Sequence, residues 1–200
     1  MNRLFMLISL AGALASASVA GAASVDFGAS NLNGNGVSDL SSPGLLSLSV
    51  DVANFSPIDL SIVLDGSEQG GSFGFNGDFA VNTAAPSAIP GYRIELLTPG
   101  VAFSVIGDVV DSFGGAVATS GSATAQDLAF APAEDLVFFV GNVPFGGTTD
   151  WTVSVLALPP GVDRVEMRLS AIPEPGTALL MGLGLVGLVV GGRAPRAPRA

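Results

Sequence analysis

The 200-residue chain has no cysteine, no histidine and no lysine, so seven arginines are its only basic side chains, against 17 Asp and Glu. Without cysteine there is no disulfide framework, thiol nucleophile or thiolate metal site. Without histidine the commonest neutral-pH general base and zinc ligand is missing. Without lysine, a serine with a lysine base is excluded as well. Paired carboxylates, as in glycosidases, are the one common catalytic apparatus left, and no spacing of Asp and Glu singles out an acid and a nucleophile. The sequence is therefore expected to be non-enzymatic, with no cofactor.

Long charged runs are also lacking. Between Ser24 and Ile172 there are 16 acidic residues against Arg93, Arg164 and Arg168, about minus 13 at neutral pH. Such a surface repels nucleic-acid phosphates and anionic membranes, and no nucleic-acid partner is expected.

The two ends differ from this middle. Arg3 precedes an apolar stretch from Leu4 to Leu14, and small residues at Ser18-Val19-Ala20 or Ala20-Gly21-Ala22 form a cleavage site, so residues 1–23 read as a secretory signal peptide. The apolar run is about ten residues, short of the roughly 20 that a spanning helix needs. At the other end Pro173-Glu174-Pro175 is followed by Gly176 to Gly192, uncharged throughout, and then by Arg193, Arg196 and Arg199. A helix over residues 177–192 rises about 24 Å, slightly less than a hydrocarbon core of about 30 Å, and flanking arginines can snorkel to close the gap. A basic tip on the cytoplasmic side with the acidic domain opposite satisfies the positive-inside tendency.

This order of Pro-Glu-Pro, apolar helix and basic tip resembles the PEP-CTERM proteins over the last thirty residues. One departure is that the tip reads Arg-Ala-Pro-Arg-Ala-Pro-Arg, where the family usually clusters its arginines. The resemblance implies an exosortase partner that processes the tail and passage through the inner membrane on its apolar helix. It further implies a setting in Gram-negative bacteria that make exopolysaccharide, with delivery to the cell envelope, outer surface or extracellular matrix.

The expected organisation is thus a signal peptide at 1–23, an ectodomain at 24–171 and a sorting tail at 172–200 with its basic tip at 193–200. Within the ectodomain, short apolar runs are broken every ten residues or so by Gly, Pro, Asn, Asp and Ser, the signature of an all-β antiparallel sandwich, jelly-roll-like. Leu46 to Val52 and Trp151 to Leu156 alternate with period two. Further strands are expected at Ile58 to Leu64, Phe73 to Val81, Tyr92 to Leu97, Val101 to Ile106, Leu136 to Val140 and Val162 to Leu169, about eight or nine in all. Phe73, Phe75 and Phe79 share one strand face, which reads as core in preference to a sugar platform. Ser112 to Thr124 reads as a weak strand or a mobile loop.

Three motif matches carry no chemistry. Gly70-Gly71-Ser72-Phe73-Gly74 spells a nucleophile elbow but has no histidine to serve it. Gly182-Leu183-Gly184-Leu185-Val186-Gly187 spells a dinucleotide fingerprint but lies in the apolar tail with no βαβ unit around it. Gly187 and Gly191 form a GxxxG pair in a glycine-rich segment. The stretch Asn31 to Asp39 places Asn31, Asn33, Asn35 and Asp39 at alternate positions, like the first half of a calcium loop, with Ser42 where a bidentate Glu belongs. A plain Asn/Gly turn accounts for it better. Asp65 and Glu68, in a Gly-rich turn, are a second weak calcium candidate.

Two functions stand out: an exported surface or matrix component, structural or adhesive and associated with exopolysaccharide or biofilm, and, in second place, a carbohydrate-binding or carbohydrate-active module using surface carboxylates, with or without calcium.

Overall fold

The computed structural model describes residues 22–66, 68–81, 89–105, 109–111, 116–134, 137–140, 151–172 and 182–185. These contain thirteen strands. In chain order they are β1 Ser24–Val25, β2 Gly36–Asp39, β3 Leu45–Val52, β4 Ile58–Val63, β5 Ser72–Val81, β6 Ile89–Leu96 and β7 Val101–Val105. There follow β8 Val109–Asp111, β9 Ala116–Gly121, β10 Ala125–Glu134, β11 Val137–Val140, β12 Trp151–Val155 and β13 Arg164–Ala171.

They form a six-stranded sheet in the order β1-β4-β13-β6-β10-β9 and a seven-stranded sheet in which β2, β3, β5, β11 and β8 follow one another. In the second sheet the long β5 pairs β12 along its first half and β11 along its second, and β7 lies beyond β12. The two sheets share one core. Val165, Met167 and Leu169 of β13, with Ile58, Leu60 and Ile62 of β4, supply one side, and Leu46, Leu48 and Val50 of β3 with Phe73, Phe75 and Phe79 of β5 supply the other. Phe79 meets Tyr92 of β6 across the sheets at 5.2 Å between ring centroids, and Phe103 stands edge-on to Trp151 at 5.6 Å, both within the favourable range for aromatic pairs. Burial this complete pushes the Tyr92 hydroxyl far above its ordinary range.

The period-two alternation explains why these segments are strands. Along β12 buried and half-buried residues alternate without exception, and along β13 buried residues alternate with half-buried or exposed ones until its last residue. In β5 the inward series Phe73, Phe75, Gly77, Phe79 includes one glycine for a steric reason. The Phe79 ring lies over it, and a Cβ at Gly77 would stand 2.4 Å from Phe79 Cε2. All three rings are core, as their spacing indicated.

The expected all-antiparallel arrangement is corrected at one pair: β3 and β5 run parallel, from Leu45↔Gly74 to Val52↔Val81. Between them the chain crosses to the other sheet as β4 and returns, and one reversing strand between two neighbours leaves them running the same way. A jelly roll pairs only antiparallel neighbours, so this connection departs from it. The segment read as a weak strand or mobile loop contains β9, paired with β10 from Gln126↔Gly121 to Ala131↔Ala116. The last expected strand lies two residues later than anticipated, at β13.

Residues 1–21 of the expected signal peptide, the sorting residues Pro173, Glu174 and Pro175 and the tip arginines Arg193, Arg196 and Arg199 lie outside the described residues, whereas Ala23, the last residue read as leader, is buried in the core. Within the expected tail helix, Gly182 to Leu185 are helical. Among the described residues no helix is long and apolar enough to cross a membrane.

Candidate functional site

The outward face of the six-stranded sheet gathers Arg93, Arg164 and Arg168, the three basic side chains between Ser24 and Ile172. On β13 the outward positions are Arg164, Glu166, Arg168 and Ser170, alternating with the buried Val165, Met167 and Leu169. Register then fixes their neighbours: Arg168 stands opposite Asp59 of β4 and Glu95 of β6, Glu166 opposite Ser61, and Ser170 opposite Arg93.

Each guanidinium meets a carboxylate from another strand or turn. Arg93 donates to both oxygens of Asp127 on β10, Nε to Oδ1 at 2.5 Å and Nη2 to Oδ2 at 2.7 Å. Arg168 donates to Asp59 through Nε at 2.6 Å and Nη2 at 3.3 Å. Arg164 donates through Nη1 to Asp26 Oδ2, just past β1. Ser61 donates to Glu166 Oε1 at 2.9 Å. The fork of a guanidinium matches two carboxylate oxygens, so these pairs fix strand register as well as charge. The Arg93 guanidinium holds the Asp127 carboxyl below the usual carboxylate range, and Arg164, helped by the Gly28 amide, does so for Asp26.

The chain leaves this face at the end of β13. Ile172 still donates its N–H to Gly91 O at 2.9 Å, continuing the β13–β6 ladder. Pro173 comes next in sequence, so no spacer separates the sheet from Pro173-Glu174-Pro175. Beside this exit Arg93, Asp127, Ser170, Ala171 and Ile172 line an open depression of about 260 Å³. Its walls offer donors, acceptors and an apolar edge. These groups can hydrogen-bond a polar ligand.

The residues read as calcium candidates serve the backbone. Asn33 and Gly34, with φ of 50° and 83°, are the centre of a turn closed by Asn35 N–H to Leu32 O at 2.9 Å, the Asn-Gly turn. Asn35 is buried, and its Oδ1 accepts the amides of Ala53 and Asn54 while Nδ2 donates to Leu32 O and Ser56 O. Asn31 Oδ1 accepts the Asn33 amide. Asp39 accepts the amides of Val25 and Ser41. The side-chain oxygens of Asn31, Asn35 and Asp39 thus each accept backbone amides. Among the described residues no group of three or more acidic side chains is placed to hold a metal ion.

Sequence reasoning missed the arginine pairs, because Arg164 lies 138 residues from Asp26 and Arg168 lies 109 from Asp59. Only sheet order brings them together, and no local pattern reports it.

No curated protein and no solved structure matches this chain. A family model does match one part of it. Residues 171–196 fit the PEP-CTERM protein-sorting motif, which begins on the last residue of β13 and takes in Pro173-Glu174-Pro175, the apolar segment, Arg193 and Arg196. The motif supports an exported protein sorted by an exosortase, and the chain carries that motif directly behind its β-domain.

Proposed function

We propose that this chain is a non-enzymatic surface or extracellular-matrix protein whose acidic β-domain is delivered by exosortase sorting and there contributes to adhesion or to association with exopolysaccharide. The observation that carries the reading is the sorting motif joined without a spacer to the sheet. The reading is further supported by composition, since the chain lacks the histidine, lysine and cysteine that most catalytic sites require. Export begins at the signal peptide, the tail holds the chain in the inner membrane until processing, and the domain then passes to the envelope, the outer surface or the matrix.

Replacing Pro173, Glu174 and Pro175 with alanine in the native host tests it. Unprocessed protein accumulating in the inner membrane supports the reading, and unchanged processing refutes the exosortase step. Co-sedimentation of the processed protein with the host's own exopolysaccharide supports matrix association. No co-sedimentation refutes that part.

A second reading, a carbohydrate-binding or carbohydrate-active module using surface carboxylates, rests on the depression beside Arg93 and Asp127. Binding to a glycan panel that is lost in Asp127→Asn would favour it, and turnover of a glycan would make it an enzyme.

A further inference from the structure

The described structure takes hold of the chain at Ala23, through a carboxylate. The Ala23 side chain is 0% exposed and packs in the core, and its N–H donates to Glu68 Oε1 at 3.0 Å. Glu68, in the turn between β4 and β5, is itself only 2% exposed, and its Oε2 accepts the Asp65 N–H at 3.1 Å. Burial pushes its carboxyl above the ordinary range, and the charge of Asp65 acts in the same direction.

Buried carboxylates persist where a cation meets them, because two backbone dipoles replace lost hydration only in part. The chain has neither lysine nor histidine, and the three arginines of the domain are engaged by Asp127, Asp59 and Asp26 on the outer face of the sheet. Among the described residues no cationic side chain meets Glu68, and the backbone itself can supply the cation. The two small-residue cleavage sites, after Ala20 and after Ala22, differ in what they leave at this point. A cut after Ala20 leaves Ala23 an ordinary amide. Hydrolysis of the Ala22–Ala23 bond adds the oxygen of water to Ala22 as a carboxylate and leaves Ala23 as an α-amine that is protonated at neutral pH.

We propose that the leader is cut between Ala22 and Ala23, and that the new α-ammonium of Ala23 pairs with buried Glu68. The nitrogen already stands at ion-pair distance from Oε1, so the cut adds charge without requiring movement. The folded domain then starts at Ala23, one residue before the boundary read from sequence. The pair fastens the mature N-terminus at the turn that leads from one sheet to the other. This inference rests on the export reading.

The absence of lysine makes the test clean, because the α-amine is the sole primary amine in the chain. The full chain exported by its native host is recovered and its N-terminus sequenced. It is then treated with an amine-reactive acylating probe near neutral pH, folded and in denaturant, alongside Glu68→Gln. The expected result is an N-terminus at Ala23 that labels at least about tenfold more slowly in the folded wild type than in denaturant, one pKa unit corresponding to a tenfold change in free amine. Glu68→Gln should recover most of the difference. A start at Gly21 overturns the proposal and leaves export intact, whereas an uncut Met1 overturns the export reading as well. A start at Ala23 with equal labelling rates in folded and denatured wild type overturns the ion pair. Should Glu68→Gln fail to fold, the pH dependence of labelling in the folded wild type decides: an apparent amine pKa at least about one unit above that in denaturant supports the pair, and an equal value overturns it.

Discussion

Gly77→Ala should destabilise the domain through one identifiable contact. Position 77 faces inward in mid-strand, and an added Cβ would stand 2.4 Å from Phe79 Cε2, 3.1 Å from Cζ and 3.3 Å from Cδ2. Real Cβ atoms do not approach so closely, so the ring has to move. It has little room, because Phe79 is fully buried and its centroid lies 5.2 Å from that of Tyr92. Overpacking of this kind costs about 1–3 kcal/mol. Loss of glycine's freedom in the unfolded chain offsets about 0.4–1 kcal/mol of that. The net loss is about 1–2 kcal/mol, which for a domain of this size lowers Tm by roughly 2–8 °C. Thermal unfolding followed by Trp151 fluorescence, on protein purified in detergent, measures it. The decisive comparison is a double-mutant cycle with Phe79→Leu, in which the cost of Gly77→Ala should fall by about half or more once the ring is gone. An unchanged Tm for Gly77→Ala, or an equal cost in both backgrounds, would refute the account of why a glycine occupies this strand.

Two other perturbations test the loop and the charged face. Asn35→Ala removes two acceptor and two donor contacts from a buried position and should cost about 2–4 kcal/mol in urea unfolding, since buried amides lose their partners. Because these oxygens are engaged by the backbone, calcium should leave the wild-type midpoint unchanged, and a rise with calcium would return the loop to the cation-binding candidates. On the outer face, the carboxyls of Asp26 and Asp127 are lowered in the folded state. The unfolded chain therefore binds more protons, so their contribution is fully present above the ordinary aspartate pKa of about 3.9 and is lost as pH falls through the folded values. The Tm of wild type should fall with acid in this window, and Asp127→Asn should flatten the fall slightly, Asp127 accounting for well under ~1 kcal/mol because the pair is open to solvent. A steeper fall in Asp127→Asn would contradict the sign.

How much of this was legible in the sequence depended on whether the information was local. The Phe73-Phe75-Phe79 face and the alternation over β3 and β12 are period-two patterns within one segment, and they map onto the strands with shifts of a residue or two. Strand β10 carries no local mark because its inward series begins with Gln126, a buried amide that donates to Ser122 O at 2.6 Å, and its outward series is largely alanine. Edge strand β9 reads Ala-Val-Ala-Thr-Ser-Gly, with one residue large enough to mark a face. The parallel β3–β5 pair depends on a crossover between sheets, which no periodicity encodes. The burial of Glu68 is nonlocal in the same way: acidic residues in Gly-rich turns are ordinarily solvated, whereas this one is 2% exposed and accepts the Ala23 N–H from 45 residues away.

Under the export reading proposed above, the sheet bears on the order of leader cleavage and closure of β1. Ser24 pairs with Val63, and Val63 pairs with Arg164, so the N-terminus lies beside the start of β13. The sorting tail leaves from the other end, after Ala171, and at about 3.3 Å per residue β13 separates the two by roughly 23 Å. A domain standing on its tail therefore holds Ala23 away from the bilayer. A leader still embedded in the membrane pulls against this arrangement, and the element that yields with least loss is β1, held by two residue pairs, Ser24↔Val63 and Val25↔Ile62. Cleavage would then come first and closure of β1 second. Because the chain has no cysteine, Val25→Cys provides a unique thiol at a buried position of β1. In the processed protein that thiol should react slowly with a maleimide. When arginine at Ala20 and Ala22 blocks the leader cut, it should react at least about tenfold faster, because local opening by 1.4 kcal/mol changes exposure tenfold. Equal protection in both forms would mean that the domain lies along the membrane with β1 paired, and the proposed order would fall.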